Sequence, residues 1–227
     1  PKVSDIDYGD LAVNKTVLQP DSQYIKQEFP KTQIFLHFTA GGPSAKNVIN
    51  GWNADESRIS TAYVIDRNTG EVYECFNPKY YSFHLGIEKT NGRLDKASIG
   101  LEICSYGPVK FRDGKYYVWP KDWTQEIPAN NVIKLDKPFR GYSYFENFTP
   151  MQLHNIERLL RVLIKQYNIK IQQTFDVSWF DYKQEVIDKT LPGIWTHVNV
   201  RKDKSDLFPN EEVLKMLNRL AKEFYKP

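Results

Sequence analysis

Cysteine is scarce in this sequence. It has only two, Cys75 and Cys104, and neither belongs to a C-x-x-C pair. A small disulfide-framed scaffold or a zinc knuckle would need more cysteines at closer spacing. Both classes are therefore excluded, and the two thiols are expected to be buried. Long hydrophobic runs are also missing, because no apolar stretch approaches the ~20 residues of a membrane span. No secretory signal peptide is recognisable.

The chain also lacks a strong excess of charge of either sign. It has 31 Lys and Arg residues against 28 Asp and Glu, which gives a formal net charge of +3. A dedicated nucleic-acid binder would concentrate basic residues on one face or in one segment. No basic block interleaved with aromatics is present, so no nucleic-acid partner is predicted. The mild positive excess suits an acidic polymer or a cell-wall surface.

Aromatic residues, by contrast, are abundant, with 14 Tyr, 13 Phe and 5 Trp. Many lie outside the apolar runs, as in GKYYVWPKDW and RGYSYFENF. Packing within loops is the favoured interpretation of these clusters, and a sugar-binding surface is the alternative.

The length of 227 residues fits one large domain, or one domain with insertions. Residues 1–30 show no clear periodicity and are predicted to form an extended N-terminal arm. Residues 107–145 are rich in glycine, proline and aromatics, and they look like an insertion containing one hairpin, VKFRDGKYYVW. The remaining elements alternate between strands and helices, which predicts an α/β fold with a mixed central sheet flanked by helices.

The hydrophobic periodicity and the helix-capping signals place these elements along the chain. Residue 37 falls near the end of the first strand, and residue 197 falls in the last strand. Strands are predicted at 33–39, 60–66, 71–76, 98–104 and 193–200, and helices at 44–53, 149–167 and 210–225.

Four residues indicate a metal-dependent hydrolase. The segment THVNVRKDKSDLFP places His197, Lys204 and Asp206 close together, and QIFLHFTAGG places His37 in an apolar strand. Histidine nitrogens and carboxylate oxygens are ordinary zinc ligands. Two histidines and one carboxylate leave a coordination position open, as catalytic zinc sites do, whereas a structural site closes all four. A lysine beside the metal can stabilise an anion that forms on a substrate.

Glu102 and two further histidines each have a simpler role as an alternative to a functional one. Glutamate is depleted in strands and is rarely buried unpaired, so Glu102 is either a salt-bridged edge residue or a general base. His84, in YYSFHLG, is a metal ligand, a substrate contact or a packed loop residue, and substrate contact is favoured. His154 falls on the polar face of its helix and is predicted to be a surface residue.

Taken together, these segments resemble the zinc-dependent N-acetylmuramoyl-L-alanine amidases, a family that includes phage endolysins and peptidoglycan recognition proteins. HFTAGG is similar to the family's first-strand motif, STAYVIDRNTGEVYEC to its hairpin, and SIGLEI to its Ser-Ile-Gly-Ile-Glu strand. YSFHLG is similar to Trp-His-Ala-Gly, with Phe83 in the tryptophan position. FTPMQLHNIERLL is similar to the helix opening, and HVNVRKDKSDLFP to the closing motif of His followed by Lys-Thr-Asp-Pro. The resemblance covers roughly residues 31–220, with the motifs in the family's order.

The sequence departs from the family pattern at several positions. Ser205 replaces the common threonine, and Leu207 and Phe208 separate the aspartate from the proline that normally follows it. Position 62 is Ala62 where a histidine is frequent. Thr61 stands where some members carry a catalytic tyrosine, so the branch that uses a catalytic glutamate fits better. Compared with short members, residues 107–145 and about 175–191 are insertions.

The resemblance implies that residues 31–227 form a zinc amidase catalytic domain that cleaves the amide bond between N-acetylmuramic acid and L-alanine. It assigns the Zn²⁺ ligands, the catalytic pair and the substrate contacts. These are His37, His197 and Asp206 for zinc, Glu102 and Lys204 for catalysis, and His84, Thr39 and Tyr63 for substrate.

Peptidoglycan is the implied partner, a monomer is expected, and the site of action is the bacterial cell wall, for either a phage-encoded lysin or an exported bacterial enzyme. Two alternatives remain open. A recognition module would bind muropeptide without cutting it, and an unrelated zinc hydrolase would act on another amide.

Overall fold

The computed structural model describes residues 5–119 and 122–227. The strands of these residues are β1 (Val13–Lys15), β2 (Gln33–Phe38), β3 (Tyr63–Ile65), β4 (Val72–Glu74), β5 (Ser98–Ile103), β6 (Pro108–Arg112), β7 (Lys115–Val118), β8 (Gln125–Ile127), β9 (Val132–Phe139), β10 (Tyr142–Glu146) and β11 (Gly193–Thr196). The helices are α1 (Ala45–Asn53), α2 (Arg93–Ala97), α3 (Pro150–Tyr167), α4 (Gln184–Lys189), α5 (His197–Val200) and α6 (Glu211–Phe224).

A mixed sheet forms the centre of the molecule. Its strand order is β1-β4-β3-β5-β2-β11, and every neighbouring pair is parallel except β3 and β4. Every residue of β2 is buried, because parallel strands at the centre of an α/β sheet are covered on both faces. The predicted fold class, a mixed sheet flanked by helices, is confirmed.

The helices begin where capping residues were predicted. The Ser44 side chain accepts a hydrogen bond from Asn47 at the start of α1. Thr149 and Gln152 form a reciprocal capping box at the start of α3, so two otherwise unpaired backbone donors are satisfied. Asn210 caps α6, which packs against α3 over the central sheet.

The last strand is shorter than predicted. The pattern suggested a strand from 193 to 200, but β11 ends at Thr196 and α5 begins at His197. A second capping box, between Thr196 and Asn199, terminates the strand and starts this helical turn. His197 is therefore the first residue of a helix and not part of the strand.

The N-terminal arm is held against the central sheet. Residues Val13–Lys15 pair in parallel with β4, and Leu11, Leu18 and Tyr24 are buried in the main hydrophobic core. The arm is therefore anchored to the sheet and the core at several points, although its sequence shows no regular pattern.

Strands β6 to β10 form a second sheet, in the region predicted as an insertion. The predicted hairpin is present as β6 and β7 around Asp113 and Gly114, but it is only part of a five-stranded antiparallel sheet of order β8-β7-β6-β10-β9. One face of this sheet packs on the main core through Ile133, Leu135 and Phe145. Residues 175–191 contain a short 3-10 turn at Val177–Phe180 followed by α4.

Two further sequence predictions can be compared with the structure. Cys75 and Cys104 are free and buried, as expected. Among residues 5–119 and 122–227, no helix has the length and apolar character required to cross a membrane.

Candidate metal centre and active-site cavity

The parallel pairing of β2 with β11 brings two histidines together. His37 is the penultimate residue of β2, and His197 directly follows the end of β11. Parallel strands deliver their carboxyl ends to one edge of the sheet, which is where α/β proteins place their ligand sites. The loop after α5 then brings Asp206 back to the same edge, where its backbone carbonyl accepts a hydrogen bond from Val198.

Three donor atoms converge at this edge. His37 Nδ1 lies 2.9 Å from Asp206 Oδ2 and 3.2 Å from His197 Nδ1, and His197 Nδ1 lies 3.2 Å from the same carboxylate oxygen. All three residues are buried. A tetrahedral zinc ion with bonds of about 2.0–2.1 Å holds its ligand atoms about 3.3 Å apart. The spacing and chemistry of the three atoms therefore fit a zinc ion with one position left for water or substrate.

The far side of each imidazole is held by the protein. His197 Nε2 lies 2.9 Å from the Leu85 carbonyl oxygen, and His37 Nε2 lies 2.9 Å from His84 Nδ1. A carbonyl can only accept, so His197 carries its proton on Nε2 and presents the Nδ1 lone pair to the centre. The same assignment for His37 leaves both Nδ1 atoms free to bind a metal, and such outer partners normally fix the orientation of metal-binding histidines.

His84 was predicted as a substrate contact, and the structure gives it a different position. It borders the cavity, but it is only 9% exposed and both of its ring nitrogens have protein partners. Nδ1 faces His37, and Nε2 lies 2.8 Å from Ser98 Oγ. A Cβ atom at Gly100 would come within 3.1 Å of the His84 ring, so glycine at that position makes room for it. His84 therefore supports His37 from behind.

The protonation states of the cluster suit metal binding. Burial lowers the pKa of His37, although the nearby Asp206 carboxylate opposes this effect. Burial also lowers the pKa of His84 well below its usual value. Burial opposes ionisation of Asp206, but the neighbouring imidazoles of His197 and His37 outweigh this effect and lower its pKa. Neutral imidazoles beside an ionised carboxylate are the forms that bind a metal.

Glu102 lies beside the cluster. It is the register partner of His37 on the neighbouring strand β5, and it lines the same cavity. Its Oε2 atom is buried and has no hydrogen-bond partner among the described residues. Burial raises the pKa of Glu102 well above its usual range, the Asp206 carboxylate raises it further, and Lys204 lowers it. A carboxyl group in this environment can accept a proton and later return it.

The cluster opens into a cavity of about 590 Å³. Lys204 and Thr39 lie in its wall, as the sequence predicted for residues of the site, and Phe83 and Leu85 add apolar surface. Arg201 is a lining residue that the sequence reasoning missed. Its only signal was its position in the segment between His197 and Asp206.

Tyr63 does not line this cavity. It is fully buried in β3, and its hydroxyl lies 2.6 Å from that of Tyr8 in the N-terminal arm. The Tyr8 hydroxyl in turn donates to Glu74. Tyr63 therefore belongs to a buried hydrogen-bonded group that ties the arm to the sheet, and this position gives no support to the predicted substrate contact.

The departure from the family pattern after Asp206 has a structural role. Leu207 and Phe208 are fully buried, and the Phe208 ring stacks on Phe145 of β10 at 4.3 Å and on Phe148 at 5.4 Å. The loop that carries Asp206 is therefore anchored two residues later into the core beneath the second sheet. This anchor restricts the position of the carboxylate.

A comparison with models of protein families assigns the chain to one family. The family model described as N-acetylmuramoyl-L-alanine amidase matches residues 28–209. No protein among the curated sequences matches the chain.

Several solved structures share the fold. The catalytic domain of XlyA is 13% identical, with coverage of 94% of this chain and 99% of that one and a TM-score of 0.52. A mutant endolysin from Bacillus subtilis is 14% identical over 94% of this chain and 99% of its own, with a TM-score of 0.52. The Staphylococcus aureus hydrolase AmiA, solved with its ligand, is 13% identical over 95% of this chain and 87% of its own, with a TM-score of 0.51. At these identities the neighbours show the fold alone.

Proposed function

The chain belongs to the N-acetylmuramoyl-L-alanine amidase family and is a peptidoglycan amidase, and we propose that it works through a zinc centre held by His37, His197 and Asp206. The observation that carries this proposal is the convergence of their three donor atoms within 3.2 Å of one another, in a buried site that opens into a cavity. Its substrate, peptidoglycan, places its action at the bacterial cell wall.

A zinc ion bound there would act as a Lewis acid that makes a water molecule more acidic and polarises the substrate carbonyl. The protein's own residues supply the rest of the chemistry. Glu102 accepts a proton from the attacking water, because it lines the cavity beside the ligands and its Oε2 has no hydrogen-bond partner among the described residues. The Lys204 ammonium stabilises the negative charge that develops on the carbonyl oxygen of the lactyl group.

Breakdown of the tetrahedral adduct requires a proton on the departing nitrogen. Glu102 returns its proton to the amine of L-alanine, and the raised pKa of its carboxyl group suits this second role. His84 and the Leu85 carbonyl keep the two imidazoles oriented throughout. Thr39 lines the cavity and is available to contact the substrate.

Digestion of purified sacculi tests the reaction. The amidase must release stem peptides with a free L-alanine amino terminus and must create no new reducing sugar ends, and mass spectrometry of the products separates the two. A glycosidase would need two carboxylates that flank the sugar bond. New reducing ends without free alanine would contradict the proposal. So would binding to sacculi without either product from fully metal-loaded protein.

A further inference from the structure

The second sheet has an outer face that the catalytic centre does not use. Phe111 on β6 lies opposite Tyr116 on β7. Val109, two residues before Phe111 on β6, lies opposite Val118 on one side and Tyr144 on the other. All five side chains therefore share one face. We call the three rings of Phe111, Tyr116 and Tyr144 the aromatic face. Over β9 and β10, the opposite face of the same sheet packs on the main core through Ile133, Leu135 and Phe145.

The aromatic face is built as a unit. Ring centroids lie 5.0 Å apart for Phe111 and Tyr116, 5.8 Å for Phe111 and Tyr144, and 5.5 Å for Tyr116 and Tyr144. Tyr116 and Tyr144 pack against Val109, Val118 and Ile127, a small buried cluster on the same face. Phe111 is nevertheless 47% exposed. Tyr116 and Tyr144 are half-buried, so they hold the exposed Phe111 ring in place. An exposed aromatic ring held by its neighbours is typical of binding surfaces.

This face is continuous with the wall of the active-site cavity. Thr39 lines the cavity, and the loop that it begins runs on to Gly42, where an added Cβ atom would lie 3.9 Å from the Tyr106 hydroxyl. Tyr106 packs against the same buried cluster as the aromatic face, and its hydroxyl accepts a hydrogen bond of 2.8 Å from Gln125. Tyr106 therefore joins the edge of the cavity to the aromatic face.

The chemistry of this face favours sugar rings over phosphates. Along β6 and β7, Lys110, Arg112 and Lys115 alternate onto the opposite face. There the Arg112 guanidinium lies 4.6 Å from the Tyr117 ring, and Lys115 forms an ion pair with Glu126 at 2.9 Å, so this face keeps a positive excess. On the aromatic face, Lys134 is the register partner of Tyr144 and adds one cation beside the rings. An anionic polymer would be attracted to the cationic face, whereas the C–H faces of pyranose rings pack on aromatic rings and their hydroxyls bond to tyrosine and lysine.

We propose that the aromatic face binds the glycan strand of peptidoglycan beyond the muramic acid that is cut. The inference rests on the proposed function, since a glycan strand continues on both sides of the residue whose amide lies in the cavity. Sugars that leave the cavity past Thr39 and Tyr106 would reach the three rings. The second sheet would thus extend the substrate-binding surface of the enzyme.

The test measures binding of glycan strands from which the stem peptides have been removed. This probe contains no scissile amide, so its binding can be measured calorimetrically on the full, metal-loaded chain whether or not the amidase reaction is as proposed. Phe111→Thr removes the most exposed ring and keeps a strand-forming residue. Tyr117→Thr is the matched control, because it removes a ring from the opposite face of the same hairpin.

We expect Phe111→Thr to weaken binding by about tenfold, a change of about 1.4 kcal/mol, and Tyr117→Thr to leave it unchanged. On sacculi, Phe111→Thr should raise KM with little change in kcat, and on a single muramyl peptide it should change neither. Equal losses in the two variants, or no binding of peptide-free strands by the wild type, would overturn the proposal. Binding of a phosphate-rich wall polymer in preference to the glycan would also overturn it.

Discussion

Phe208 offers the sharpest test of how the loop that carries Asp206 is held. Its side chain is fully buried and stacks on Phe145 at 4.3 Å. Replacing a buried phenylalanine with alanine typically costs about 3–5 kcal/mol through lost burial and the cavity left behind. Phe208→Ala should therefore lower the free energy of unfolding by this amount in urea titrations of the metal-free protein. Metal-free protein is required because a bound ligand adds its own stabilisation.

The same change should also weaken metal binding. Asp206 lies two residues before Phe208, and loss of the anchor frees one of the three ligands. Loss of a group that orients a ligand typically costs about 10–100-fold in metal affinity, which a competition titration with a chromophoric chelator measures.

Phe76→Ala is the matched control, because Phe76 is buried and stacks on Tyr24 at 4.7 Å. It should lose comparable stability and keep its metal affinity. If the two variants lost metal affinity equally, or if Phe208→Ala kept full affinity, the anchoring role of Phe208 would be refuted.

Three further outcomes follow from the site and its surroundings. Glu102→Gln should retain metal while turnover on sacculi falls by about 10²-fold or more. Lys204→Ala should also retain metal while kcat falls by about 10²-fold. Full activity in either variant would refute the catalytic role of the residue that was replaced. His84→Ala should weaken metal binding by about 10–100-fold in the chelator competition, because His37 loses its outer partner; unchanged affinity would refute that support. Burial lowers the pKa of Lys31 to about 7 from its usual 10.5, so the unfolded chain binds more protons between these values and stability should rise with pH from about 7 towards 10. Urea titrations should show that this rise is reduced in Lys31→Met, and equal slopes in the two proteins would contradict the assignment.

Much of the site could be predicted because its signals are local. Alternation in QIFLHF gives a strand with His37 near its end, and capping residues such as Ser44 and Thr149 mark helix starts. The ligand residues could be identified because two histidines and one carboxylate, each within a motif and in the family's order, are rarely explained by core packing alone. The sequence could not predict the distances between the ligand atoms. The three donor atoms converge to 2.9–3.2 Å because β2 pairs with β11, and this pairing joins distant segments.

The positions of His84 and Tyr63 depend on contacts between distant segments of the chain, which the sequence does not reveal. His84 lies behind His37 because neighbouring strands leave space above Gly100, and nothing in YSFHLG indicates that space. Tyr63 follows the alternation of its strand, but its partner is Tyr8 in an arm without periodicity. The second sheet was missed for the same reason. One hairpin has a local turn signal, whereas the pairing of β10 with both β6 and β9 has none.

The metal content of three proteins tests the central claim most directly. Elemental analysis after expression in zinc-replete medium should find about one zinc per chain in the wild type, since three protein ligands with one open position bind zinc tightly. His197→Ala should lose the metal and the amidase activity together. His154→Ala should keep both, because that side chain is exposed on α3. Zinc retained in His197→Ala, or full activity of the wild type after complete removal of metal, would contradict the proposed centre.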